Sequence, residues 1–191
     1  MKQIAAACLA GFVLAGCTQN IAEPQQTAKE PEKPRTPPIE YKGSLLGQTP
    51  APDIGAGSSD CTKAIKKGEG ACVWWATYAQ QMTKNTRLDI REGALYSVSI
   101  YIEPSVFDDV AKALIEKYGP PQTDQRAELS NAMGARFGDR LMQWRADDGG
   151  EIFAQKYVGD ITTSVVTLSS PKAAHDFMEQ LKAKKPNASD L

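Results

Sequence analysis

Four cysteines and one histidine are the residues of this 191-residue chain best equipped for chemistry, and their placement narrows what that chemistry is. His175 is the sole imidazole, so a multi-His metal site within one chain is impossible. It stands next to Asp176, but adjacent residues of a helix do not face each other, so the pair reads as a surface or helix-end feature rather than a general base and its orienter. Ser58-Ser59-Asp60 lacks the Gly-x-Ser-x-Gly surroundings of a nucleophile elbow. Asp108-Asp109 and Asp147-Asp148 suit a helix start and a turn better than an acid/base pair. Gly43-Ser44-Leu45-Leu46-Gly47 has neither the glycines nor the lysine that a phosphate cradle needs. Nothing here implies a cofactor or a metal, and an enzyme is the least supported class. The balance of 22 Lys+Arg against 23 Asp+Glu also excludes a broadly basic nucleic-acid binder, which needs excess cations to displace counterions.

The strongest motif lies at the N-terminus. Met1-Lys2-Gln3 is a short positive start, and Ile4 to Ala15 is almost wholly apolar. A run of about 12 residues is too short for a helical membrane span, which needs about 20, but matches the hydrophobic region of a secretory signal. It ends in Leu14-Ala15-Gly16-Cys17: an aliphatic residue, two small residues and a cysteine. This resembles the signal of bacterial lipoproteins, and the alternative is an ordinary signal peptide with a chance cysteine. The resemblance implies cleavage before Cys17, diacylglycerol on its thiol and an acyl chain such as palmitate on the new amino terminus. Cys8 lies inside the apolar run, where cleavage would leave too short a signal. In Gram-negative lipoproteins an Asp after the lipidated cysteine favours the inner membrane. Thr18 stands there, which implies the outer membrane with the domain facing the periplasm. Two or three acyl chains anchor stably where one binds only reversibly.

Residues 18–38 hold five prolines, six charged residues and one large aliphatic, Ile21. Such a stretch cannot bury enough apolar surface to offset chain entropy. It reads as a tether that reaches on the order of 60 Å when extended, the sharper alternative being a polyproline docking strip. Residues 39–185 then form the folded domain and 186–191 a disordered tail. With the signal removed and Cys17 acylated, Cys61 and Cys72 remain. In an oxidising periplasm they read as a disulfide. A two-Cys metal site would lack ligands, and a redox pair would want Cys-x-x-Cys spacing.

Around these residues the apolar pattern alternates between periods. Ser59 or Asp60 would cap a short helix to Lys67, ended by Gly68-Glu69-Gly70. Val73–Ala79, Thr86–Arg91 and Ala94–Ile102 read as three strands. Pro104 opens a helix whose apolar stripe runs through Phe107, Val110, Leu114 and Tyr118, stopped by Gly119-Pro120-Pro121. Residues 122–138 are polar and irregular. Leu141–Arg145, Glu151–Val158 and Ser164–Ser169 read as strands, and Pro171 opens a second long helix with Ala174, Phe177, Met178 and Leu181 on one face. The result is an α+β fold, an antiparallel sheet with helices on one face. The order strand-strand-strand-helix occurs twice, compatible with a degenerate tandem β-β-β-α repeat.

Trp74-Trp75 is the most informative pair in the domain. Adjacent strand residues point to opposite faces, so one ring enters the core and the other faces out. The outward ring either packs on the Cys61–Cys72 bridge or under a helix, or anchors a partner. Beside it lies the loop carrying Lys63, Lys66 and Lys67, either as a solvated charged loop or to steer an acidic partner, anionic headgroups or peptidoglycan. The likeness of the Tyr41–Gly47 segment and its two following cysteines to small envelope lipoprotein domains carries no binding residues over. The leading expectation is a non-catalytic module, anchored to the outer membrane by its lipid, that binds an envelope protein partner or serves as an accessory of an envelope machine. The alternative is an inhibitor of a hydrolase such as lysozyme. A Cys17→Ser variant is expected to lose lipoprotein processing and lipid-dependent membrane association, read by gel mobility and fractionation. A variant still processed and still membrane-bound would reduce residues 14–17 to an ordinary signal sequence.

Overall fold

The computed structural model describes residues 35–130 and 133–183; the signal segment, Cys17, residues 18–34 of the tether and residues 184–191 lie outside them. The chain begins with two short pairing strands, β1 (Glu40–Tyr41) and β2 (Ser44–Leu45), followed by α1 (Ser59–Lys67) and β3 (Gly70–Trp74). A small hairpin of β4 (Thr77–Tyr78) and β5 (Gln81–Met82) leads into β6 (Asn85–Arg91) and β7 (Ala94–Ile102). A 3-10 turn at Pro104–Val106 then opens α2 (Phe107–Tyr118). The second half runs β8 (Thr123–Ser130), β9 (Arg136–Arg145), β10 (Glu151–Gln155), β11 (Ser164–Ser169) and α3 (Pro171–Ala183). The α+β class is as the sequence implied.

Seven strands form one antiparallel sheet in the order β3-β6-β7-β11-β10-β9-β8. The triplet β3-β6-β7 is mirrored by β9-β10-β11 about the central β7/β11 pair, which is how the twice-repeated element order is realised. Strand alternation divides the side chains cleanly. Leu88, Ile90, Val98, Ile100, Ile102, Met142, Trp144, Ile152, Ala154, Val166 and Leu168 are buried on one face. Helix α2 lays Phe107, Val110, Ala111, Leu114 and Tyr118 into the same core, and Ile39, Tyr41, Leu46 and Ile54 of the N-terminal segment join it. Trp144 brings a polar N–H into this core and donates it to the Gly119 carbonyl at 2.8 Å, just past the end of α2. That bond also satisfies one of the carbonyls a helix leaves open at its C-terminus.

The helices divide between the faces, where the sequence reading places them on one. α1 and α2 serve the core face; α3 lies over the other, where the Tyr96 hydroxyl donates to Asp176 at 3.0 Å. Only Ala173 and Ala174 of α3 are buried, so the apolar stripe continues past its packing surface. Boundaries also differ from the sequence reading: the strand expected over Val73–Ala79 ends at Trp74, with Thr77–Tyr78 forming β4 of a separate two-stranded sheet, and the one expected over Glu151–Val158 ends at Gln155. Thr36, grouped with the tether by composition, is buried and its carbonyl accepts from the Asp147 N–H at 3.3 Å. The polar stretch 122–138 contains β8 and the start of β9. No residue of β8 is buried, so alternation could not reveal it. Its position rests on pairing with β9, reinforced by a fork of the Arg140 guanidinium onto Asp124 at 2.7 and 2.8 Å.

Helix α1 is tied down covalently. Ser58, rather than Ser59 or Asp60, is its cap: the Ser58 Oγ accepts from the Cys61 N–H at 3.3 Å. Cys61 then bonds Cys72 of β3 across a Cα–Cα distance of 5.0 Å. Gly55 passes so close that a Cβ there would meet the Cys61 Cβ at 2.7 Å, and its φ of +73° also favours glycine. Closing this short loop limits the unfolded chain. Replacing both cysteines by alanine is expected to lower unfolding free energy by about 3 kcal/mol, checked by denaturant titration with and without reductant.

Candidate functional site

The two adjacent tryptophans separate as strand geometry requires. Trp74 is buried, edge-on to Tyr41 at 6.2 Å between ring centres. Trp75 is 77% exposed; it packs neither on the disulfide nor under a helix. Val73 and Met82 are exposed as well, at 54% and 72%. Val73 and Trp75 are two residues apart and so share a side. Met82 pairs with Thr77, which is two residues beyond Trp75, placing all three on the same side by alternation. Three large apolar side chains thus form one outward strip on a segment with no charged residue from Gly70 to Thr83.

What holds Trp75 outward is the hairpin that follows it. Thr83 grips Ala76 three ways: its hydroxyl accepts from the Ala76 N–H at 3.1 Å and donates to the Ala76 carbonyl at 2.9 Å, and its own N–H donates to that carbonyl at 2.9 Å. The turn between β4 and β5 places Ala79 and Gln80 at φ of 47° and 64°, where Asn-Gly would be the easier choice. Packing compensates for this strain: Tyr78 stacks on Tyr41 at 6.1 Å and Ala79 rests against the core. Burial pushes the Tyr41 hydroxyl up to about 12, and raises Tyr78 further still, with Tyr118 and Tyr41 adding to it. Among the described residues the Tyr41 hydroxyl has no hydrogen-bond partner at normal geometry; Thr86 lies beside it but donates its own proton to Thr83.

The lysines singled out with the tryptophans do not surround them. Lys63, Lys66 and Lys67 lie on the exposed side of α1, not on a loop. Lys63 pairs with Asp60 at 3.5 Å between two largely exposed side chains, a contact of little energetic worth. Lys66 and Lys67 occupy the last turn, where the helix dipole favours cations. They stand at the Gly70 end of β3, about 17 Å along the strand from Trp75. The edge of the sheet therefore has a charged end, where Glu69 and Glu92 stand with the lysines, and an aromatic end.

A second feature escaped the sequence reading. Between α3 and the sheet face beneath it lies a groove of about 390 Å³, lined by Phe153, Phe177, Tyr96, Arg91 and Thr167 among others. Arg91 stacks over the Tyr96 ring at 3.9 Å. The available signal was that the α3 stripe includes Phe177, Met178 and Leu181, more apolar surface than one end of a sheet covers. His175 is exposed and 3.7 Å from Asp176, whose carboxylate already accepts from Tyr96 and pairs with Lys172 at 3.4 Å. Those contacts, Tyr96 foremost, hold Asp176 below the usual carboxylate range. The other acidic pairs are structural too: Asp108 pairs with Lys156 at 3.0 Å, and Asp148 accepts from the Gly150 N–H at 2.9 Å. Among the described residues no group of three or more His, Cys, Asp or Glu is placed to hold a metal ion.

Compared with known proteins, the chain matches no family model, no curated protein and no solved structure at a significant level.

The raised tyrosine has a consequence for alkaline stability. Tyrosine ionises near 10 in the unfolded chain and near 12 at Tyr41 in the fold. Below pH 10 both states hold the proton and stability is level. Between 10 and 12 the unfolded state releases it first, so stability falls as pH rises. Tyr41→Phe is expected to stay folded and to reduce that fall by about 1.4 kcal/mol per pH unit, checked by denaturant titrations across the range.

Proposed function

We propose that this protein is a lipoprotein anchored in the outer membrane through Cys17, with its domain in the periplasm acting as a non-catalytic binding module for an envelope protein, as an accessory of a larger envelope machine. The observation that carries the reading is the outward Trp75 with Val73 and Met82, held by a strained but well-packed hairpin. A bare tryptophan costs solvation and is the side chain most enriched at the energetic centre of protein interfaces. Its support is rigid: Trp74 and Tyr78 are rooted in the core on either side of it, so little ordering entropy is lost on docking. The proline-rich stretch between Cys17 and the domain suits the anchored role.

A photo-crosslinking residue at Met82 tests this in intact cells. It is expected to capture an envelope protein, and Trp75→Ala is expected to weaken that capture by about 2 kcal/mol, roughly thirtyfold, while leaving the fold unchanged by circular dichroism. Equal capture by the Trp75→Ala variant would sink the assignment of this strip as the docking site.

A further inference from the structure

The two edges of the seven-stranded sheet are defended unequally. Edge strands expose unpaired N–H and C=O groups, and proteins usually guard them with charge, proline, bulges or a cover. β8 is guarded: Asp124, Arg126 and Glu128 punctuate it. β3 is not. Gly70–Trp74 holds no charged residue and no proline, and its register with β6 runs without a shift. Among the described residues no hydrogen bond beyond that pairing reaches its outer side. Helix α1 packs on β3 through the Cys61–Cys72 bridge, while Ala71 and Val73 on the opposite face of the strand stay exposed.

Resting on the proposed docking strip, we infer that the partner adds a strand to β3: an extended, uncharged segment, antiparallel to β3, whose carboxylates follow at its C-terminal end. Main-chain bonds to the open edge supply the pairing, and side chains at alternate positions meet Val73 and Trp75. The direction follows from charge. Lys66 and Lys67 stand at the Gly70 end of β3 without an ion pair among the described residues. An antiparallel strand finishes at that end, so carboxylates there meet the lysines. The chain's own tether is unsuited to the place, because its five prolines lack the N–H groups a ladder needs. A second copy of β3 would set the lysines against the Trp75 end, where residues 70–83 offer no carboxylate.

The test uses the full chain in detergent and the octapeptide Thr-Val-Thr-Val-Thr-Val-Asp-Asp, followed by hydrogen exchange. The peptide is expected to slow exchange of amides in residues 70–75 by about tenfold or more. Moving the two Asp to its N-terminus should weaken the effect, and N-methylating alternate residues should abolish it. Val73→Lys, at an exposed position that does not disturb the core, should remove the protection with the circular dichroism spectrum unchanged. No protection, or equal protection by the N-methylated peptide, overturns strand addition. Protection that instead tracks protein concentration without peptide assigns the edge to a second copy and overturns it too. Loss of crosslinking in Trp75→Ala cells with no peptide protection would leave the docking strip standing and remove strand addition alone. Peptide protection with crosslinking unaffected by Trp75→Ala would do the reverse.

Discussion

The packing of α2 across one face of the sheet is the contact on which the rest of the domain is built. Five side chains of the helix enter a core supplied by alternate residues of β6, β7, β9, β10 and β11. Sealing that face leaves every intervening residue on the other. α3 is the only helix there among the described residues, and it buries only two alanines. The opposite face is therefore mostly solvated by necessity, which is why its residues are serine, threonine, glutamine and charged pairs around a few rings.

That asymmetry is what makes the Trp75 strip and the α3 groove notable. Apolar side chains on the sealed face are accounted for by folding. On the open side they are not, and the hairpin after Trp75 accepts two left-handed non-glycine residues to keep its shape. The disulfide ties α1 to Cys72, the middle residue of β3, and Thr83 holds Ala76 just beyond the strand's far end. A short edge strand that would otherwise fray is thereby kept extended.

Structure is legible in the sequence where a side chain reports its own environment. Ala94–Ile102 alternates because one face of β7 is buried, and its limits agree with the structure. The α2 stripe and its Pro104 and Gly119 boundaries were equally plain, since helical period and backbone restrictions are local. β8 was invisible because it is wet on both faces, and Ser58 was passed over because three capping-type residues stand in a row. The side of the sheet that α3 chose depends on how the chain leaves β11, which no periodicity encodes. The same holds for the groove beneath it.

Sequence alone therefore determined the order of the helices and of the core strands, the α+β class and that the two tryptophans turn away from each other, because each follows from the local geometry of the backbone. Tertiary structure decided which one enters the core: Trp74 lies on the side that α2 and Tyr41 occupy, so Trp75 is left in solvent. It also decided that the lysines stand a strand length from that ring and that one edge of the sheet is open. Those are relations between elements distant in the chain, fixed only when the shared core brings them to one place.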